Sequence, residues 1–242
     1  MSHHLNMFNT VDNKSHGVRK SAGEKTRELI LGKALELFRQ KGFEVTTMRD
    51  IAQAAKVALG AAYYYFPSKE AIVSAYYDEV QRLHAGKARE ALEGKEGLGE
   101  RLSGVMNSKL EILKNDRKFL GALFRYSGEP GHPLSVFGEA TEAQRKQSME
   151  IFREALAGTE INEESKAFLL WALWLAHLGM ILYFIHDESE GQMKTHNLVD
   201  HGTDTLAGLI ELTNSALVRP FVKPFQTTMV KMLREAGWSE EA

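Results

Sequence analysis

Tyr63, Tyr64 and Tyr65 stand side by side, between a run of small residues (Ala58, Leu59, Gly60, Ala61, Ala62) and the stop signal Phe66-Pro67-Ser68. A helix turns about 100° per residue, so three neighbouring phenols leave on three faces and cannot all be core. At least one hydroxyl is expected to meet solvent or a partner. The residue sets that would support catalysis are weaker. His186-Asp187 and Glu163-Glu164 fall at predicted helix ends, where such residues serve as caps or solvated charge. No Gly-rich phosphate loop or nucleophile elbow occurs. There is no cysteine, which removes thiolate chemistry and a disulfide framework. His196 and His201 are five apart, not the four that place two metal ligands on one helix face. The chain is read as a binding protein, not an enzyme, with no metal and no cofactor.

What must position the tyrosines is a chain of 242 residues, 43% hydrophobic and 26% charged, long enough for one large domain or two smaller ones. Its net charge of −2 hides an asymmetry. Residues 14–69 hold 11 Lys/Arg against 5 Asp/Glu, whereas residues 70–242 hold 19 against 26. A basic first quarter on an acidic remainder suggests a nucleic-acid-binding head on a body with another task. Residues 1–20 are polar and lack the apolar core of a signal peptide, so a cytoplasmic location is expected.

Nearly everything reads as helix. Ile30, Ala34, Leu37 and Phe38 recur at helical spacing, and Gly42 is placed to end that helix. Thr47-x-x-Asp50 resembles a capping box and opens a short helix carrying Ile51, Ala52 and Ala55. A break at Lys56-Val57 precedes the tyrosine helix, Ala58 to Phe66. Pro67 ends it, and Ser68 caps a long helix toward Leu92. Residues 93–99 interrupt the pattern. Helices are then predicted at about 98–114, 117–126, 134–157, 162–186 and 191–218, with a last one after Pro224; the loop 127–133 breaks the series with two prolines.

Three short helices with a tight turn between the second and third have the proportions of a helix-turn-helix DNA reader, whose third helix enters the major groove. Gly60, Ala61 and Ala62 fit such a helix, because a leading face with little bulk can lie close to base edges. The stretches T-T-M-R-D-I-A-Q-A-A and G-A-A-Y-Y-Y-F-P-S-K-E, behind a helix ending in Gly42-Phe43, closely resemble the DNA-binding domain of the tetracycline-repressor (TetR/AcrR-type) family over about residues 24–72. The resemblance implies an all-α protein: an arm (1–22), a helix-turn-helix domain (23–67) and a helical effector-binding and dimerisation domain (68–242). It implies a regulator, most simply a repressor, that binds a near-palindromic double-stranded operator as a homodimer and is released by a small hydrophobic or aromatic effector. A transcriptional activator or a ligandless DNA-binding protein of the same fold is the alternative.

By the same resemblance, Tyr63, Tyr64 and Lys69 face backbone phosphates, as do the amides near Thr47. Arg49, Lys56, Leu59, Gly60, Ala61 and Tyr65 complete the expected DNA face. The chain also departs from the family pattern. Lys56 stands where the turn usually carries Gly, Ala58 where the third helix usually starts with Ser or Thr, and Leu59 where a basic residue is usual. Ala61 and Tyr65 replace the usual Ser or Thr and His. The face therefore lacks side chains that make bidentate bonds to guanine or adenine, and readout is expected to lean on thymine methyls and DNA shape. Charge is expected from Lys56, Arg49 and the arm with Lys14, Arg19, Lys20, Lys25 and Arg27.

Ala167 to Ile185 is 19 residues with one polar side chain, long enough for a membrane span. It is the only such run and its flanks are acidic, so it is read as a central helix of the body, with no membrane partner. By resemblance the helices at 162–186 and 191–218 pair with a second subunit as a four-helix bundle, through Ala172, Leu175, Gly179 and Leu182 on one and Leu198, Leu206, Leu209 and Ile210 on the other. The remaining faces are expected to enclose a pocket lined by Met106, Phe119, Phe124, Tyr126, Phe152, Trp171, Trp174, His177 and Tyr183. His177 has two readings, a satisfied core or interface histidine and a ligand contact.

Overall fold

The structure, a computed structural model, describes residues 20–129, 131–161, 163–214 and 217–235. Among these residues it is all helix and turn, with no strand. The chain divides into two compact units, Met1–Tyr76 and Tyr77–Ala242.

The first unit is made by caps and a small core. Helix α1 (Ala22–Lys41) opens on a capping box: the Glu24 amide donates to Ser21 Oγ, and the Ser21 amide donates to the Glu24 carboxylate. Helix α2 (Met48–Ala54) opens on the predicted one, with Asp50 N to Thr47 Oγ1 at 3.1 Å and Thr47 N to Asp50 Oδ2 at 2.8 Å. Lys41 pairs with Asp50 at 2.9 Å and, with Thr47, holds that carboxyl well below its ordinary range, at about 2. Helix α3 (Leu59–Tyr65) has no such help. Its N-cap, Ala58, makes no side-chain hydrogen bond. What holds α3 is burial of Ala62 and, just past its end, Phe66, in a core with Ile30, Leu35, Phe38 and Ile51. The guanidinium of Arg27 covers Phe66, 4.8 Å from the ring centre.

Helix α4 (Lys69–Leu92) carries the division between the units inside it, after Tyr76. The expected boundary at 67/68 moves because Ile72, Val73, Ala75 and Tyr76, in the first two turns, are buried and count with the first unit.

The second unit continues with α5 (Leu98–Leu113), α6 (Arg117–Phe124), α7 (Glu142–Ala155), α8 (Glu163–His186), α9 (Met193–Asn214) and α10 (Arg219–Glu235). Helices α5 and α9 pack along each other. A Cβ on Gly99 would lie 2.5 Å from Asp204 Oδ1, so glycine sets how closely they approach. Asp200 accepts from Ser103 Oγ and Asn107, which in turn meets His196 at 2.6 Å. Arg117 donates to the carbonyls of Phe184, Ile185 and Asp187, satisfying the end of α8. Asp187 then caps α9 through the amide and hydroxyl of Thr195.

Two predicted elements differ. The helix expected at 134–157 starts only at Glu142, after a 3-10 turn at Glu139–Thr141. Ser135 donates to Ser127 O, Thr141 to Ser135 O and Arg145 to Val136 O, so side chains occupy carbonyls in the preceding loop. Pro224 lies inside α10 instead of before it. Its missing N–H frees only the carbonyl of Pro220, in the exposed first turn.

The uncapped start of α3 predicts that Ala58→Ser stabilises the protein by about 1 kcal/mol, the usual worth of a serine N-cap. Urea unfolding checks it: the midpoint should rise at unchanged slope.

Candidate functional site

The first unit offers one exposed face. Tyr64 is 81% exposed and Tyr63 48% exposed, with Leu59, Gly60, Arg49, Gln53 and Lys56 exposed beside them in sequence on α2 and α3. Tyr65 is half-buried, edge-on to Tyr64 at 5.1 Å, with its hydroxyl next to Gly23. The three tyrosines therefore divide as helix geometry requires. Ala61 is half-buried and Thr47 exposed. Gln53 is a polar, exposed residue that sequence reasoning passed over, although it lies one turn beyond Arg49 on the same face of α2.

Lys56 adopts φ = +54°, the left-handed conformation that the turn between α2 and α3 needs. For a lysine that costs about 1 kcal/mol relative to glycine. The strain places a cation between the two helices.

Lys69 is used differently from expectation. Its ammonium donates to the carbonyl oxygens of Phe43 at 2.7 Å and Glu44 at 3.1 Å, and lies 4.5 Å from the Phe43 ring centre. It pins the α1–α2 connection to the start of α4. Of the arm, Lys20 pairs with Glu28 at 2.5 Å, Lys25 is exposed on α1, and Lys14 and Arg19 lie outside the described residues.

In the second unit, the predicted lining residues separate. Met106, Phe119, Phe152, Trp171, Trp174 and His177 are buried, and Phe124 and Tyr126 are half-buried. Tyr183 is not among them. It is exposed and lines a surface cleft of about 390 Å³ with His186, Asp187, Glu188, Ser189 and Lys194. Its position seven residues from Ala176 puts it on the outer side of α8, where Ala176 is also exposed.

At His177 the core is polar. Gln81 and His84 on α4, Val105 and Lys109 on α5, Gln144 and Phe152 on α7, and His177 on α8 are linked there. Lys109 is 4% exposed and donates to Gln81 Oε1 at 2.8 Å. His84 Nε2 bonds the Val105 carbonyl at 3.0 Å. The His84 and His177 rings meet edge to face at 5.8 Å, and Phe152 packs on His177 at 5.4 Å. Three buried polar atoms have no partner: His84 Nδ1, His177 Nε2 and Gln144 Oε1. Burial lowers Lys109 to about 7. Burial and then the Lys109 charge lower His177 to about 3, and His84 is depressed by the same causes. Apart from His177 and Phe152, sequence reasoning missed these residues. The signal was there: Lys109 is in phase with Leu102, Val105, Met106 and Leu113, and His84 with Tyr76, Val80 and Ala88.

The outer faces of α8 and α9 expose Leu175, Gly179, Leu182, Leu198, Leu209 and Leu212, with Ala172 and Leu206 half-buried. Ile210 departs from the expected interface set. It is buried in its own subunit, in phase with Val199, Thr203 and Ala207. Ser165–His186 has a mean hydropathy of 2.0 over its most apolar window and the length to cross a membrane, yet its inner face is packed in the second unit.

A three-helix head with an exposed, small-residue third helix, ahead of a helical body, defines a helix-turn-helix regulator. Residues 30–76 match the bacterial regulatory proteins of the tetR family, and residues 101–225 match the tetracyclin repressor-like C-terminal domain. The chain belongs to that family. The HTH-type transcriptional repressor KstR of Mycobacterium tuberculosis is 28% identical over 165 residues, 65% of this chain and 71% of that protein. The HTH-type regulator YuxN of Bacillus subtilis is 46% identical over 56 residues, 22% of this chain and about a fifth (19%) of YuxN. Among solved structures, the TetR regulator from Nitrosomonas europaea superposes with a TM-score of 0.60 at 21% identity, covering 76% of this chain and 98% of that one. NalD, the secondary repressor of the MexAB-OprM multidrug efflux pump in Pseudomonas aeruginosa, gives 0.54 at 25% identity, over 75% and 95%.

Because Lys109 binds its proton less tightly folded than unfolded, the unfolded chain holds more protons between about pH 7 and the ordinary lysine value near 10. Stability should therefore rise with pH across that window. Lys109→Met should flatten the rise and stabilise the protein at pH 7, as measured by denaturant unfolding at stepped pH.

Proposed function

We propose that this protein is a repressor of transcription that binds a near-palindromic DNA operator as a homodimer and releases it when a small, largely apolar effector enters the second unit. The observation that carries the reading is the face at Arg49, Lys56, Leu59, Gly60, Tyr63 and Tyr64. It is exposed, it combines two cations with two phenols, and it leaves room for a base edge at Gly60. Tyr64 and Tyr63 donate to phosphate from rigid stems, and Lys56 adds charge at the turn. Leu59 and Ala61 read thymine methyls. Lys69 acts on the reader from behind, by fixing the loop before α2. KstR and NalD are repressors, and this supports repression over activation. The working place of such a protein is the cytoplasm.

A single seven-residue reading helix binds DNA weakly, so two heads are required. The exposed leucines of α8 and α9 are the surface that brings them together. Leu182→Glu, which puts a charge in that face, should convert a dimer to a monomer by analytical ultracentrifugation and abolish operator binding. A variant that stays dimeric would move the interface elsewhere.

Selection of randomised duplex DNA by the full chain tests the function. One near-palindrome should be enriched. Tyr64→Phe should weaken it by about tenfold, the worth of a hydrogen bond to a charged group. Lys69→Ala should weaken it without changing the salt slope, since its ammonium is occupied within the protein; Lys56→Gly should lower the slope by about 1. No enrichment at low salt would sink the reading.

A further inference from the structure

The buried polar cluster of the second unit is not explained by packing. An ammonium has three protons to place, and Lys109 spends one on the neutral amide oxygen of Gln81 at 2.8 Å. No carboxylate pairs with it among the ion pairs of the described residues. Beside it stand two imidazoles, 5.8 Å apart, each with a nitrogen that bonds nothing. His84, His177 and Lys109 are all at least nine-tenths buried. A core built for stability alone would place apolar side chains there. Unsatisfied nitrogens on α4 and α8, beside an ammonium on α5 with one hydrogen bond to Gln81, describe half of a hydrogen-bonded set whose other half is missing.

The charge says which half. A cation would be repelled by Lys109. A neutral carbonyl or hydroxyl would leave the ammonium uncompensated. A phosphate brings more negative charge than one lysine can balance in a buried site packed by Phe152. A single carboxylate balances it, accepting from Lys109 Nζ and from His177 Nε2. The apolar remainder of such a molecule meets Trp174, one turn before His177 on α8, and the cluster it forms with Met149 and Trp171.

We propose that the second unit binds an amphiphilic monocarboxylate, an organic acid on an apolar body, with its carboxylate seated on Lys109 and His177 beside the His84 ring. This deepens the effector-response reading and rests on it for the regulatory consequence. Because Gln81 and His84 belong to α4, the helix that begins in the first unit, the acid grips the element whose first turns carry the head.

The test uses the full chain with octanoate and 4-phenylbutanoate as probes against octanol and 4-phenylbutanol, by calorimetry and thermal shift. An acid should bind at least about tenfold more tightly than its alcohol, as charge-assisted hydrogen bonds predict. At pH 8 its binding should take up protons, because the carboxylate restores to Lys109 the charge that burial suppresses. Buffers of different ionisation enthalpy read that uptake. Lys109→Met should keep the fold and alcohol binding while abolishing both the acid preference and the uptake; Lys109→Arg should keep the preference. Equal binding of acids and alcohols, an acid preference that survives Lys109→Met, or no binding of either acid overturns the proposal. Acid binding that leaves the operator complex intact supports the site and removes the effector-response reading. Release of the operator by neutral compounds alone does the reverse.

Discussion

A helix apolar on every side cannot stand in water, and the body of this protein depends on that constraint at α8. Its inner face is covered by α6, α7 and α10 and holds Leu170, Leu173, Trp174 and Phe184 out of solvent. Its outer face, with Leu175, Gly179 and Leu182, stays bare. The same sequence run that has the length and hydropathy of a membrane span is thus packed on one side and bare on the other, which is the physical basis of the dimer proposed above. A polar residue on the inner face of such a helix is conspicuous, which is why His177 and the atoms around it carry information that an exposed histidine would not.

The head obeys a different economy. Helices α2 and α3 have seven residues each, too short to persist alone, and they exist because caps and burial fix both ends. Thr47 and Asp50 cap α2; Ala62 and Phe66 anchor α3 from below. Where function needs the surface, stability is given up. Ala58 leaves the reading helix uncapped, and Lys56 accepts a left-handed backbone so that a cation occupies the turn. Both are local losses at exposed positions, on the side proposed above to face DNA.

The helices of the head were legible because their signals are local. The Thr47–Asp50 box, the stop at Gly42 and the break at Lys56 are read from a few residues each, and the division of the tyrosines follows from helix geometry. The body was legible as helices but not as a site. Its loop at 134–141 looked helical by composition, and only long-range placement of Ser135, Thr141 and Arg145 shows why it is not. The aromatic stripe pointed to the core correctly for Trp171 and Trp174, yet misplaced Tyr183, because phase along an all-apolar helix is ambiguous. Lys109 was overlooked for the opposite reason. A lysine is read as surface by default, although its phase on α5 places it with Val105 and Met106.

The two economies meet in α4. An effector can shift the balance between DNA-competent and DNA-incompetent states only by the difference in its affinity for them. A preformed, satisfied pocket offers little such difference, since it accepts the ligand equally in either state. A cluster that is unsatisfied when empty is another matter. Any arrangement of α4 that lets the buried amine and imidazoles find their missing partner is favoured when the ligand is present and costly when it is absent. Gln81 and His84 lie about one and a half and two turns beyond Tyr76, the last residue of α4 counted with the first unit. In the response proposed above, the unpaired nitrogens would be the physical source of a coupling free energy.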